Sequence, residues 1–165
     1  MLFRSPQNTV AWQESILQPV LYSVTPPFAE LTELMQQEIG ERKGRTWQEA
    51  LRRAVAAVAG LTAVDGAALM NDQYGLIAFG AKIVRRKGSA RVERVIMTEP
   101  VIGTPATVVD PEQLGGTRHL SAAQFVQDQR DSVALVASVD GRFTVFVWSP
   151  CEEMVHAHRV ETLLL

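Results

Sequence analysis

The chain has little cysteine, almost no net charge and no long apolar run, and each shortage narrows what it can do. One cysteine, Cys151, stands among 165 residues, so no disulfide can form within the chain. A reducing compartment, the cytoplasm, is the natural expectation. Lys and Arg number 16 against 18 Asp and Glu, a net charge of −2. That balance argues against an electrostatic grip on nucleic acid along the whole chain. No window approaches the roughly 20 apolar residues of a membrane-spanning helix. The opening MLFRSPQNTVAWQESILQPV is broken by polar residues every few positions, unlike a signal peptide or a membrane anchor. Internal repeats, low-complexity segments and a composition shift that would mark a domain boundary are also missing.

What is present is the composition of a folded domain: 47% hydrophobic and 21% charged residues, in a length that buries one core. Four prolines punctuate the first 27 residues, where a short helix is expected near residues 10–17. After Thr25-Pro26-Pro27 the stripe Phe28, Leu31, Leu34, Met35 and Ile39 predicts a helix with proline in its first turn. GERKGR then forms a polar connection. Thr46 and Glu49 have the spacing of a capping box, Gly60 that of a helix end, and Trp47, Leu51, Ala54, Val55 and Val58 the spacing of a buried stripe.

From Leu61 the period changes from helical to alternating. AVDGAALM and LIAFGAKIV, joined by NDQYG, predict a hairpin with the Asp-Gly pair inside its first strand. RRKGSA reads as a basic loop, RVERVIM as a strand with one wet face, and the proline-containing EPVIGTPATVVDPEQL as an irregular loop. A helix at 121–129 follows, on the spacing of Ala122, Phe125 and Val126, with Ser121 and Gln124 as a second possible capping box. SVALVASV, the Asp140-Gly141 turn and RFTVFVWS predict strand–turn–strand in a covered sheet. The closing VHAHRVETLLL predicts a last strand or short helix, its LLL end being either buried or cut from a longer chain.

Three places carry possible chemistry. Asp65-Gly66-Ala67 is either a simple bend or a site of close approach, because glycine in a strand marks where a ligand or another backbone comes near. The aspartate has the chemistry to hold a divalent metal or take a proton from a hydroxyl. GGTRHLS, residues 115–121, is either a turn that opens a helix or a cradle for phosphate, with bare glycine N–H groups, the Thr117 hydroxyl, the Arg118 charge and His119. It lacks the lysine and the spacing of a P-loop. Cys151, His156 and His158 offer three ligands to a zinc ion but no fourth. Arg85, Arg86, Lys87, Arg91 and Arg94 form a basic cluster, a solvated edge or a support for an anionic ligand.

The order of these motifs resembles the diadenylate cyclase domain family: a strand with DGA, a hairpin, a GTRH loop opening a helix, and a strand ending near a serine. The resemblance runs from Trp47 to Trp148, about two thirds of the chain. It implies a single-domain α/β fold, a mixed β-sheet flanked by helices, diadenylate cyclase-like. Residues 1–46 are then a helical segment packed on the domain, 47–150 the nucleotide-binding core and 151–165 a closing strand or short helix. That family condenses two ATP molecules into cyclic di-AMP between two domains held face to face. By resemblance Asp65 holds Mg2+ or Mn2+ and prepares a 3′-hydroxyl, and Gly66 and Ala67 approach the nucleotide. Gly116, Thr117, Arg118 and His119 contact phosphate, Ser138 lies near the ligand, and Asp65 and His119 take part in catalysis if the domain is active.

The sequence departs from the family in two places. Leu120 stands where the family carries a second arginine. Val139 follows Ser138 where the family has a metal-binding glutamate, with Asp140 one residue on. Such losses weaken turnover more than binding. The expectation is therefore a cytoplasmic sensor that recognises an adenine nucleotide or a cyclic dinucleotide with little or no turnover, with a homodimer surface expected in the segment before Trp47. The alternatives are an active diadenylate cyclase and an interaction domain without a ligand.

Overall fold

The computed structural model describes residues 2–5, 11–38, 40, 42, 44–138 and 141–161. Val10, Ile39, Glu41 and Lys43 of the GERKGR connection, Val139, Asp140 and the last four residues lie outside the described residues. In chain order the strands are β1 (Leu2–Ser5), β2 (Tyr22–Phe28), β3 (Ala67–Asn71), β4 (Leu76–Ala81), β5 (Val95–Thr98), β6 (Thr107–Val109), β7 (Val133–Ala137), β8 (Arg142–Ser149) and β9 (Met154–Glu161). The helices are α1 (Glu30–Gln36), α2 (Arg45–Leu61), α3 (Pro111–Gly115) and α4 (Thr117–Asp128), with a short 3-10 helix at Ala11–Ser15. The described strands form one mixed sheet in the order β2-β4-β3-β1-β7-β8-β9-β5-β6. β1 runs parallel to β3 and β5 parallel to β9; the other neighbours are antiparallel.

The two-residue period of β3 sends its side chains to two cores. Ala67 and Leu69 join a cluster with Ala122, Ala123, Phe125 and Val126 of α4. Ala68 joins Leu31 of α1 and Ala54 and Val58 of α2. Helices thus cover both faces, and the chain is a mixed α/β protein. The β3–β4 and β7–β8 hairpins form where the sequence places them, and of the two expectations for the closing segment, strand or short helix, it takes the strand β9.

Several local expectations are corrected. The first 46 residues are not helical alone, since β1 lies inside the sheet and β2 takes Pro26 and Pro27 into an edge strand. An edge position tolerates proline because one side of the ladder needs no donor. The helix expected from Phe28 therefore begins only at Glu30. α2 starts one residue before the expected cap, without a side-chain cap, and Glu49 instead pairs with Arg45 at 3.0 Å. Val55, assigned to its buried stripe, is 49% exposed, and Gly60 lies inside the last turn.

The segment expected to be irregular contains β6 and α3. Asp110 caps α3 by accepting the Glu112 N–H at 2.8 Å, and Pro111 opens its first turn. α4 begins at Thr117, four residues before the expected start, so Ser121 and Gln124 sit inside it rather than at a cap. Asp65 and Gly66 lie in a bend just before β3, outside the strand.

Candidate functional site

Gly66 has φ +136°, and a Cβ built there would lie 2.4 Å from the Gly80 carbonyl carbon. The two neighbouring backbones approach too closely here for a side chain, and glycine permits it. This close approach sets the bend before β3 against the end of β4, with Asp65 beside Lys82. The Lys82 ammonium donates to the Asp65 carboxylate. That hydrogen bond, and then the Lys82 charge, hold the Asp65 carboxyl below its ordinary value; burial opposes them slightly, and Arg118 adds a still smaller pull downward.

The same bend forms one wall of a cleft of about 550 Å3. Asp65, Gly66 and Ala67 face Thr117, Arg118 and Ser121 from the first turn of α4, and the ends of β4 and β7 close the floor. Two segments about fifty residues apart in sequence thus meet in one hollow, of a size typical of small-molecule sites. The helix end adds N–H donors without intrahelical acceptors and a partial positive charge. Arg118 is exposed and has no ionic partner among the described residues.

Gly116, His119 and Ser138 do not line this cleft. Gly116 is the N-cap of α4 at φ +75°, which lets the chain reverse between two helices. His119 is 2% exposed. Its Nε2 lies 3.4 Å from both the Ser138 and the Thr144 hydroxyls, and its ring meets Phe146 edge-on at 5.9 Å. A Cβ on Gly115 would come within 2.3 Å of the His119 ring, so the first glycine of GGTRHLS makes room for that side chain. Within this short motif, Thr117 and Arg118 face the cleft while His119 turns into the core.

Leu120 is partly buried and packs on the main core. Lys82, which the sequence alone does not mark, is the cleft's second cation. Asp65 is the one acidic side chain lining the cleft among the described residues, and Lys82 already engages it. Mg2+ and Mn2+ take oxygen ligands, often one or two carboxylates completed by water and substrate phosphates, so Asp65 would fit such an ion together with a nucleotide once Lys82 leaves its carboxylate.

The C-terminal trio separates. Cys151 is exposed in the β8–β9 turn. On β9 the His156 and His158 rings lie 5.6 Å apart. His158 Nδ1 is 2.7 Å from the Thr98 hydroxyl, and His156 lies against the Glu152 carboxylate. Glu152 also accepts from the Ser149 hydroxyl at 3.1 Å, within its own turn. No three His, Cys, Asp or Glu side chains group as metal ligands among the described residues. No described helix is long and apolar enough to cross a membrane. No family model, curated protein or solved structure matches the chain.

Proposed function

We propose that the domain is a diadenylate cyclase-like binding module that takes an adenine nucleotide or cyclic dinucleotide in this cleft and turns it over little or not at all. The observation that carries the reading is the meeting of Asp65-Gly66-Ala67 with Thr117-Arg118 in one hollow. Those are the segments that the resemblance assigns to a nucleotide. Phosphate oxygens suit the site chemically: Arg118 supplies a fixed forked donor, Thr117 a hydroxyl and the α4 terminus its N–H groups. Lys82 adds a second cation and at the same time occupies the carboxylate that a catalytic metal would need. Leu120, packed on the core, leaves no second guanidinium at its position. Both features favour holding a nucleotide over stabilising charge that develops in phosphoryl transfer.

Isothermal titration with ATP, AMP and cyclic di-AMP tests the reading. Arg118→Ala removes one charge-assisted contact, worth about 1.5–3 kcal/mol, and should weaken binding at least about tenfold. Unchanged affinity in that variant contradicts the phosphate cradle. Incubation with ATP and Mn2+, followed by anion-exchange separation, should yield no cyclic di-AMP. A product peak that disappears in Asp65→Asn would instead establish the active cyclase.

A further inference from the structure

The cleft does not end at Ser121. A second chamber of about 390 Å3 adjoins it, and Ile83 and Ser121 line both. Each chamber alone lies within the ~300–1,000 Å3 range of small-molecule sites. The second is walled by Leu120 and Gln124 of α4 and by Arg85 and Arg91 from the segment after β4.

That segment is a strap tied across α4. Asp128 accepts the Arg86 N–H at 2.8 Å and the Ser89 hydroxyl. Gln124 accepts the Val92 N–H at 2.9 Å and donates to the Ala90 carbonyl at 3.1 Å. The Val84 N–H donates to the Ser15 carbonyl at 2.9 Å, so the backbone is pinned on both sides of Arg85. Two of the strap's arginines are already paired, Arg86 with Glu14 at 2.6 Å and Arg91 with Glu112 at 2.7 Å. Arg85 has no ionic partner among the described residues and lines the chamber.

We infer that Arg85 is a specificity-determining residue that receives a second phosphate group of the nucleotide held in the main cleft. The inference rests on the reading of that cleft as a nucleotide site and extends it to the class of nucleotide. The ligand carries two anionic groups, one near Arg118 and one further along α4, where the six steps from residue 118 to residue 124 advance the helix by about 9 Å. A guanidinium held at a fixed root, beside an apolar wall, suits a phosphate oxygen pair. The second phosphate comes either from a polyphosphate tail or from a second nucleotide unit.

Titration of AMP, ATP and the linear dinucleotide pApA into the wild type, Arg85→Gln and Arg118→Gln distinguishes these cases. Arg85 is exposed, so its replacement leaves the fold intact, which circular dichroism checks. The wild type should prefer a two-group ligand to AMP. Arg85→Gln should lose that preference, about tenfold or more, while AMP affinity stays within twofold. Loss confined to ATP identifies the tail as the source, loss confined to pApA identifies the second nucleotide, and either supports the subsite. If Arg118→Gln weakens all three ligands and Arg85→Gln none, the subsite is wrong while the nucleotide reading stands. If the wild type binds none of the three, both fall.

Discussion

At the scale of single residues the site depends on how one carboxylate is neutralised. Asp65 is nearly fully exposed, yet Lys82 holds its carboxyl below the ordinary range. A depressed carboxyl contributes stability that is present above its unfolded value and lost as pH falls through its folded one. The Asp65 carboxyl carbon should therefore titrate below the usual aspartate value by NMR, and Lys82→Met should return it towards that value. A wild-type titration at or above the ordinary value contradicts the pair. Gly66 has its own requirement, because both its φ and the Gly80 backbone exclude a side chain. Gly66→Ala should cost roughly 1–3 kcal/mol from backbone strain alone, read by chemical denaturation. A variant as stable as the wild type would contradict this close approach of the two backbones.

At the scale of elements, α4 organises the site, with its first turn facing the cleft, its middle filling the core and its outer residues tying down the strap. Gln124 is 6% exposed and satisfies the buried Val92 N–H. Gln124→Ala should cost about 1–3 kcal/mol, the penalty of an unpaired buried donor. Much of this architecture is legible in the sequence. The almost continuous apolar runs SVALVASV and RFTVFVWS report a covered sheet, and the spacing of Ala122, Phe125 and Val126 reports a buried helix face.

Other elements gave no such signal. α4 begins on a glycine at positive φ and not on a Ser, Thr or Asp cap, so its start reads four residues late. β2 hides behind two prolines that only an edge strand tolerates. α3 and β6 are too short for periodicity, although Asp110-Pro111 is a cap signal. At the site, the motifs are visible in sequence but their meeting is not. Lys82 is invisible as a partner of Asp65 because the pair depends on how β4 ends against the bend.

At the scale of the whole molecule, ligand binding and proton binding both couple to folding. A ligand at a hundredfold excess over its Kd stabilises the native state by about 2.7 kcal/mol, which in a chain of this size raises Tm by roughly 5–10 °C. Acid acts in the opposite direction through β9. Burial, and then the neighbouring His156, lower the pKa of His158. The unfolded chain therefore takes up that proton first, and stability should fall as pH drops below about 6.5. His158→Gln should flatten that decline in urea midpoints measured between about pH 7 and 5, and an unchanged slope would contradict it. Amide NMR tests most directly whether the two cleft segments, remote in sequence, form one nucleotide site. Titrated with ATP, the Asp65–Ala67 and Thr117–Arg118 amides should shift together along one saturating curve, and Arg118→Ala should abolish or weaken the response in both segments. No shift in either segment, or shifts confined to a surface away from the cleft, would contradict it.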